Sequence, residues 1–510
     1  MNVLFVSIDS LRRDFLGAYR DRPWGFDYDV ETDNLDRFAE RATVFDTHYV
    51  GSQFCMPTRR EWYTGRQEFL WRGWGPIEPY DHTLPLAARE NGTLTQLITD
   101  HYHYFQHGAS GYYEDFHGFE FVRGHEYDAW KTTPRHPDEE FLEKTNADDP
   151  DGLRFMNRAQ YARNVAGFDP EDETDFFAPQ VFGETADWVA ENREWDEWLC
   201  YVDSFDVHEP IHCPEPYASM YTDEDPSDVD LPVWPYWGDV DTGQAALTDR
   251  QLEFVKAQFA GKVTMVDRWF GKVLDELDAQ GAWEDTMVVV TSDHGFSLGD
   301  HGWIGKVDTP LHDVIANTPL MVYHPDGVRD RVDELTAAID VHATLMEAVG
   351  AGDDLAEDTH SRSLNPLLTG EAEEHRDWAV FGNWGSGVNV TDGDHVYLHP
   401  CDPDVPAYCH STMQMNARGA FHPPEANPEA EAGQFLPYTD APVWRYPAPG
   451  FNRNEEPMLF DRREDPHQEE NLAPEADGKQ AEMQELLARA LRELDAPDHQ
   501  FTRLGLEHLA

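Results

Sequence analysis

The feature that most constrains the fold is a set of short, almost wholly apolar runs. They read VLFVSI (3 to 8), WLCYV (198 to 202), TMVVVT (286 to 291) and PLMVY (319 to 323). Runs of this kind are typical of parallel strands that are covered on both faces. They alternate with helical patterns, of which the best covers 251 to 278 and stops at Gly281. The sequence therefore predicts an α/β fold with a doubly wound sheet.

Three of these runs lead directly into polar clusters. The clusters are SIDS with Asp9 and Ser10, YVDSFDVHEP with Asp203, Asp206 and His208, and VVVTSDHG with Asp293 and His294. A single Asp after a strand is most often a helix N-cap, and Asp-His before Gly is most often a turn. Ligands of open α/β sheets, however, bind at the carboxyl ends of the strands. We therefore expect the clusters to meet and to offer carboxylates and an imidazole to a divalent cation.

A cysteine in the segment FCMPTRR raises a separate question. Cys55 stands ahead of Arg59 and Arg60 in an electropositive loop, which a packing cysteine does not require. Two arginines are suited to holding a tetrahedral oxyanion. Both a buried structural cysteine and a functional one remain open at this point. The chain has five cysteines, so a disulfide scaffold is not expected, although Cys401 and Cys409 are near enough in sequence to pair.

Composition limits the partners of the chain. Its 99 acidic residues against 38 basic ones give a formal charge of −61, which repels nucleic acid and anionic membranes. The acidic residues are spread along the whole chain, and lysine is scarce. We interpret this as adaptation to molar salt, where the Debye length falls to about 3 Å, against the alternative of an ordinary acidic protein. Met1 leads straight into a strand, and no apolar run reaches the length of about 18 residues that a membrane span needs. We expect a cytoplasmic protein without a membrane partner.

The pattern changes after about residue 370. We predict a catalytic domain over 1–370 and a smaller C-terminal α+β subdomain over 371–510, with antiparallel strands that turn at Asp392 and Gly393 and a terminal helix near 480 to 495. The stretches 125 to 180 and 213 to 250 are rich in Asp, Glu and Pro, and they are interpreted as surface insertions.

The segment CMPTRREWYTGR resembles the signature of the sulfatases, within the alkaline-phosphatase-like superfamily. That signature is Cys-x-Pro, a small residue and Arg, followed by Thr-Gly-Arg, and it is matched by Cys55, Pro57, Thr58, Arg59 and 64–66. CDPDV at Cys401 lacks the arginine and the downstream part. IDSLRRD resembles the family's first metal segment with Ser10 in place of a second Asp, and TSDHG followed by Lys306 resembles the second. MLFDRREDPHQEENLAPE (458 to 475) extends the resemblance almost to the end of the chain.

The resemblance implies a large mixed, mainly parallel sheet flanked by helices and the hydrolysis of an aryl or carbohydrate sulfate ester. It implies that a formylglycine-generating enzyme oxidises Cys55 to formylglycine, whose hydrate binds a divalent metal. Calcium is favoured, with manganese or magnesium as alternatives. The implied metal ligands are Asp9, Ser10, Cys55, Asp293 and His294. Lys306 and His208 would hold the sulfate and protonate the leaving oxygen, and Arg59, His101 and His103 would orient the hydrate.

Two other functions remain open from the sequence. One is a phosphonate monoesterase or phosphodiesterase of the same superfamily, and the other is a non-catalytic anion-binding relative. The alcohol part of the substrate is not identified, and neither is the oligomeric state. Five aromatic residues are candidates for a sugar or aryl pocket, against the alternative of local core: Trp71, Trp74, Tyr112, Trp130 and Trp237.

Overall fold

The computed structural model of the chain describes residues 1–19, 25–132, 138–147, 157–328, 330–414 and 425–510. The strands fall into one large central sheet and four smaller sheets. In chain order they are β1 (Asn2–Ile8), β2 (Thr43–Phe45), β3 (His48–Tyr49), β4 (Ser52–Gln53), β5 (Leu94–Thr99), β6 (Gly118–Phe121), β7 (Trp198–Ser204), β8 (Gly238–Asp239), β9 (Thr286–Thr291), β10 (Ser297–Leu298), β11 (Trp303–Gly305), β12 (Leu320–Tyr323), β13 (Arg331–Val332), β14 (Thr336–Ala337), β15 (Ala379–Asn383), β16 (Val388–Thr391), β17 (His395–His399), β18 (Ala407–Ser411), β19 (Glu431–Gly433), β20 (Val443–Ala448) and β21 (Met458–Asp461).

The central sheet has eight strands in the order β13-β2-β12-β9-β1-β7-β5-β6. The block from β9 to β6 is parallel throughout, and every residue of β1, β7 and β9 is buried. This confirms the predicted mixed, mainly parallel sheet. The run at 319 to 323, interpreted as a parallel strand, pairs antiparallel with both β9 and β2. A continuous apolar run reports burial on both faces but not strand direction, which explains the error.

Helices cover both faces of the central sheet. Side chains of α1, α6 and α7 pack on one face with Leu4, Val6 and Ile8, and those of α2, α3 and α9 pack on the other with Val3 and Phe5. The helices are α1 (Asp33–Ala39), α2 (Met56–Thr64), α3 (Leu84–Glu90), α4 (Glu139–Lys144), α5 (Arg158–Val165), α6 (Phe177–Asn192), α7 (Asp249–Ala279), α8 (Asp313–Ala316), α9 (Asp340–Ala348), α10 (Asn365–Leu368), α11 (Asp477–Glu493) and α12 (Asp498–Arg503).

The long helix α7 follows closely from its sequence. Thr248 and Gln251 form a capping box at its start, and Gly281 adopts a left-handed φ of 59° just beyond its end. Its apolar residues at helical spacing pack onto α6 and β1 in one core cluster. The helix predicted over 251 to 278 is therefore confirmed, two residues longer at its start and one at its end.

The C-terminal part contains the antiparallel strands and the terminal helix that the sequence predicts. Its five-stranded sheet has the order β21-β17-β16-β15-β4, and β16 and β17 are joined by the turn at Asp392 and Gly393. The edge strand β4 comes from the N-terminal part of the chain and pairs parallel with β15. The division at residue 370 stays a prediction. All five cysteines are unpaired, so Cys401 and Cys409 do not form a disulfide.

The interpretation of 125 to 180 as a surface insertion is wrong for a substantial part of its described residues. His125 and Glu126 are buried, α5 contributes Tyr161 and Val165 to the core, and α6 lies against the central sheet. The acidic residues of this stretch alternate with aromatic and aliphatic residues, so an overall acidic composition hid a buried apolar face. Among the described residues, no helix has the length and the apolar character needed to cross a bilayer.

Candidate active site

Carboxylates from three neighbouring strands meet at one edge of the central sheet. Asp9 follows β1, Asp203 lies near the end of β7, and Asp293 follows β9. Because β1 lies between β9 and β7 and all three run parallel, their carboxyl ends come together. All three side chains are fully buried. The structure thus brings the predicted polar clusters into one place.

A single guanidinium holds these carboxylates together. Arg59 donates from Nε and Nη2 to the two oxygens of Asp203, at 3.0 and 2.8 Å, and from Nη2 to Asp9 Oδ2 at 2.9 Å. Its Nη1 donates to Asp293 Oδ2. Burial opposes the charged form, but Asp203, Asp293 and Asp9 together raise the pKa of Arg59 well above its usual value. Arg59 therefore remains a cation at the centre of the site.

Cys55 stands at the N-terminus of α2, with a left-handed φ of 52°. Pro57 lies in the first turn of the helix, where an N–H group has no intrahelical partner to lose. Gly65 ends the helix at a φ of 66°, and a Cβ there would come within 2.5 Å of the His342 ring. The motif residues around Cys55 thus define a short helix that aims its N-terminus at the carboxylates.

The Cys55 thiol lies inside the cluster. Its Sγ is 3.2 Å from His294 Nε2, and His294 Nδ1 donates to the carbonyl oxygen of Gly295 at 3.0 Å. Burial raises the pKa of the Cys55 thiol well above its usual value. The charge of Lys306 opposes this rise, and the carboxylates of Asp9 and Asp293 add to it. A thiol in this setting is a weak nucleophile, because the thiolate is the reactive form.

The donor atoms around Cys55 fit a divalent cation. Asp9, Cys55, Asp293 and His294 each offer one ligand atom, and these atoms all lie within 4.8 Å of one another. Ligands on opposite sides of a cation bound at about 2.0 to 2.6 Å are separated by about 4 to 5 Å, which this group matches. Asp9 and Asp293 are both buried in this group, where their negative charges are unfavourable. A bound cation would offset these charges.

Ser10 occupies the position where the resemblance leads one to expect a second aspartate. It has a left-handed φ of 62°. Its backbone N–H donates to Asp293 Oδ1 at 3.2 Å, and its hydroxyl donates to Asp9 Oδ1 at 2.8 Å. Lys306 Nζ donates to the Ser10 Oγ at 3.3 Å and lies 3.9 Å from Asp9 Oδ1. Ser10 therefore links the lysine to the carboxylates.

Lys306 and the predicted histidines differ in charge state. Burial alone would lower the pKa of Lys306. The charges of Cys55, Glu209, Asp9 and Asp293 outweigh burial and raise this pKa above its usual value. Burial lowers the pKa of His101 and His208 well below the usual value and that of His103 to about 3. The lysine is thus a charged proton donor, whereas the three imidazoles are neutral.

The histidines lie around the site at different positions. His101 Nε2 is 3.4 Å from Asp9 Oδ2, and neither of its ring nitrogens has a hydrogen-bond partner. The ring of His103 lies 5.0 Å from that of His101, and its Nδ1 contacts Gln106. His208 donates from Nδ1 to the carbonyl oxygen of Glu209 at 2.7 Å. His101 is in direct contact with the carboxylates, and the other two lie in the next layer outward.

Two buried glutamates near these histidines were missed from the sequence. Glu126 Oε2 is 3.4 Å from His103 Nε2, and Glu209 Oε2 is 3.4 Å from His208 Nδ1. Burial raises the pKa of Glu126 to about 8 and that of Glu209 to about 7. Glu209 adjoins His208 in the DVHEP cluster, so its position was a usable signal. Glu126 has no such signal, because it lies in the stretch interpreted as a surface insertion.

A cavity of about 560 Å³ opens beside Cys55 and Lys306. Of the five aromatic residues proposed from the sequence, Trp74 and Trp237 line it, while Trp71 and Tyr112 are core residues and Trp130 is partly exposed elsewhere. The lining residues that were not predicted include Trp384, Phe451 and Arg453. These three come from the C-terminal part of the chain, which the sequence alone does not connect to the site.

This combination of a mainly parallel α/β sheet with a buried carboxylate, histidine and cysteine group defines a hydrolase of the alkaline phosphatase superfamily. The family model described as Sulfatase matches residues 1–351, and the chain belongs to this family. The uncharacterized sulfatase YidJ of Escherichia coli K12 is 26% identical over 370 residues, which cover 68% of this chain and 67% of YidJ.

Two further relatives carry different descriptions. The multifunctional alkaline phosphatase superfamily protein PehA of Trinickia caryophylli is 25% identical over 425 residues, covering 72% of this chain and 77% of PehA. The crystal structure of the phosphonate monoester hydrolase of Agrobacterium radiobacter matches with a TM-score of 0.62 at 22% identity, covering 97% of this chain and 95% of that one. The structural match supports the fold.

Proposed function

We propose that this protein hydrolyses a sulfate ester, of an aryl alcohol or a carbohydrate, through formylglycine made from Cys55. The observation that carries the proposal is the position of Cys55 at the N-terminus of α2, with Sγ 3.2 Å from His294 and with the charged Lys306 nearby. The raised pKa of the thiol argues against a thiolate nucleophile. Formylglycine removes this difficulty, because its hydrate carries two hydroxyl groups in place of the thiol.

A divalent metal at this site, which we propose to be calcium with manganese or magnesium as alternatives, would lower the pKa of a nearby hydroxyl and polarise the ester. Asp9, Asp293 and His294 would hold it together with the side chain at position 55. Ser10 fixes the Asp9 carboxylate through its hydroxyl and Asp293 through its backbone N–H. Arg59 limits the repulsion between the carboxylates.

The proposed reaction has two steps. In the first, one hydroxyl of the hydrate gives its proton to the Asp293 carboxylate, which lies within 4.8 Å of the side chain at position 55, and attacks sulfur through its oxygen. The bond between sulfur and the alcohol oxygen breaks, and the leaving oxygen takes a proton. Lys306 is the better proton donor, since His208 is neutral and its Nδ1–H donates to the Glu209 carbonyl. In the second step the remaining hydroxyl loses its proton, the bond between its carbon and the sulfate oxygen breaks, the aldehyde re-forms and sulfate leaves. We assign the acceptance of that proton to His101, which is neutral and has no hydrogen-bond partner. A water molecule then adds to the aldehyde and restores the hydrate.

The chemical state of Cys55 tests the proposal directly. The protein is produced with and without a formylglycine-generating enzyme, and the tryptic peptide that contains Cys55 is analysed by mass spectrometry. We expect the hydrolysis of an aryl sulfate to rise in proportion to the fraction of aldehyde. Cys55→Ala should reduce kcat by at least about a thousandfold, because it removes the nucleophile. Cys213→Ala is the matched control, since its thiol is also buried but lies against Gln258 of α7 and does not line the cavity. Full activity with an intact thiol at position 55 would contradict the mechanism.

A second candidate is a phosphonate monoester or phosphodiester hydrolase. The description of PehA as multifunctional and the fold of the Agrobacterium enzyme favour it. A sulfate monoester and a phosphodiester carry the same single negative charge, so the charges of the site do not separate them. Comparison of kcat/KM for matched aryl sulfate, aryl phosphonate and aryl phosphodiester substrates decides between the two. We expect the sulfate to be the best substrate, and a preference for either phosphorus ester would replace the proposal.

A further inference from the structure

One arginine in the cavity beside Cys55 is held by backbone carbonyl groups through Nη1 and has no hydrogen-bond partner at Nε and Nη2. Arg453 lies between β20 and β21 and lines the cavity together with Cys55 and Lys306. Its guanidinium carbon is 4.9 Å from the ring centre of Phe54 and 5.6 Å from that of Phe451. Its Nη1 donates to the carbonyl oxygens of Lys306 at 3.0 Å and Thr309 at 3.2 Å. The guanidinium is therefore fixed in orientation from one side.

The opposite edge of the same guanidinium has no partner. Arg453 Nε and Nη2 are buried and make no hydrogen bond. No carboxylate of the described residues forms an ion pair with Arg453, and burial, offset only in part by Asp308, lowers its pKa to about 9. By contrast, Arg12, Arg59, Arg60 and Arg72 each contact carboxylates. An unpaired buried arginine is unexpected in a chain of charge −61, because buried N–H donors without acceptors are unfavourable.

The Nε and Nη2 pair is the edge with which arginine binds a carboxylate or sulfate through two parallel hydrogen bonds. Arg59 uses the same two atoms to hold Asp203 in this protein. Arg453 lines the cavity that also contains Cys55 and Lys306. The aromatic rings of Trp74, Trp237 and Trp384 supply further walls, against which a sugar or aryl ring can pack.

We infer that Arg453 binds a second anionic group on the alcohol part of the substrate. The substrate is then a sulfate ester whose leaving alcohol carries a carboxylate or another sulfate, such as an acidic or multiply sulfated sugar or a carboxylated aryl alcohol. This inference rests on the proposed function, since it assigns the alcohol side of the same site. Arg453 is a binding residue here and takes no part in breaking the ester bond.

The test uses pairs of esters that differ in charge alone. The probes are 3- and 4-carboxyphenyl sulfate, each compared with the corresponding carbamoylphenyl sulfate. We expect the parent protein to prefer the better placed carboxylate over its carboxamide by about tenfold to a hundredfold in kcat/KM, as for a charge-assisted hydrogen bond. Arg453→Met should lower the ratio of kcat/KM for the carboxylate to kcat/KM for its carboxamide to about one. Arg453→Lys should retain part of the preference, since a lysine keeps the charge without the planar fork.

Two outcomes would overturn the inference. One is a parent protein that turns over carboxylate and carboxamide equally well in both pairs. The other is an Arg453→Met variant that slows both members of a pair equally, which would mean that Arg453 acts only by anchoring the Lys306 backbone. Arg462→Met is the matched control, because Arg462 is also largely buried but contacts Asp313 outside the cavity and should leave the preference unchanged.

A binding measurement separates this inference from the proposed function. 4-Sulfobenzoate and its carboxamide mimic the two esters but cannot be hydrolysed as sulfate esters. Calorimetry should show tighter binding of the carboxylate to the parent than to Arg453→Met. If that difference is found but no sulfate ester is hydrolysed by protein with a confirmed aldehyde, the proposed function fails and the anion subsite stands. If sulfate esters are hydrolysed but the difference is absent, the subsite fails alone.

Discussion

Positively charged side chains are few in this site, so each of them contacts several other groups. Arg59 is shared by Asp9, Asp203 and Asp293, and Lys306 is shared by Ser10 and Asp9. The two nearby glutamates, Glu126 and Glu209, have no ion pair with Lys306. Their burial is unfavourable to the charged form and raises their pKa values, and the charge of Lys306 offsets this effect only in part.

Glu126 makes stability depend on pH. Burial raises its pKa from 4.5 to about 8, so the folded protein holds this proton more tightly than the unfolded chain does. The stability associated with the protonated form is complete below pH 4.5 and is lost as the pH rises through about 8. Glu126→Gln keeps the side-chain size and should stabilise the protein at pH 8 by an amount on the order of 4 kcal/mol, with little effect at pH 4.5.

Chemical unfolding in urea at several pH values measures this effect. The control is Glu120→Gln, at an exposed position on the preceding strand, which should change the free energy of unfolding by less than about 0.5 kcal/mol at any pH. Equal stability of Glu126→Gln and the parent at both ends of the pH range would show that the carboxyl group is ionised in the folded protein.

The residues of the site divide into those that the sequence can reveal and those that it cannot. Cys55 and Arg59 lie four positions apart in one helix, and Asp9 and Asp293 directly follow apolar strands, so local patterns identify them. Arg453 reaches the site from the other end of the chain, in a loop with no periodic pattern. Arg453 was singled out because its Nε and Nη2 make no hydrogen bond within the protein. A missing hydrogen bond produces no pattern in a sequence.

Among the elements, α9 is joined to the segment before β15 by one buried carboxylate. Asp340, the first residue of α9, accepts hydrogen bonds from the backbone N–H groups of Ala337 and Arg362. It also contacts His375 at 3.0 Å and the guanidinium of Arg376. Burial alone would raise the pKa of Asp340. Arg376 and the hydrogen bonds outweigh burial and hold this pKa far below its usual value. The carboxylate is therefore charged at neutral pH.

Removal of Arg376 should be strongly destabilising. Arg376→Ala leaves the Asp340 charge buried, and we expect a loss of about 3 to 5 kcal/mol in the free energy of unfolding. The matched control is Arg489→Ala, which breaks a half-exposed contact with Asp377 and should cost less than about 1 kcal/mol. A double variant, Arg376→Met with Asp340→Asn, should recover part of the loss because no unpaired charge remains. Urea denaturation of the three variants measures these differences, and equal losses for the two single variants would contradict the prediction.

The elements that the sequence predicted best are those whose own periodicity fixes them. The spacing of apolar residues in α7 and in α11 matches one buried face, so both helices were predicted. Strand direction is different, because β12 has the composition of a parallel strand but pairs antiparallel with β9. Likewise, β4 joins the C-terminal sheet over a sequence separation of more than 300 residues. Such pairings are decided by packing of the whole chain.

At the scale of the whole molecule, the formal charge of −61 sets the conditions under which the fold is stable. Charges of one sign repel each other across the surface, and this repulsion falls in the more expanded unfolded chain. Salt screens it, with a Debye length of about 10 Å at 0.1 M and about 3 Å at 1 M. Adaptation to molar salt remains our proposal for the origin of this charge, and it has a measurable consequence.

We expect the Tm to rise steeply between about 0.1 M and about 2 M KCl, since screening removes the repulsion. A variant in which the exposed acids at the end of α6, Asp187, Glu191, Glu194 and Asp196, are replaced by their amides should have a higher Tm than the parent at low salt. The difference should shrink as KCl is added, because the same repulsion is then already screened in the parent. Sucrose at matched osmolality is the control, as it favours the compact state without screening charge. An equal rise of Tm in sucrose and KCl, with a constant difference between variant and parent, would contradict the prediction. It would show that KCl raises the Tm through hydration and not by screening charge repulsion.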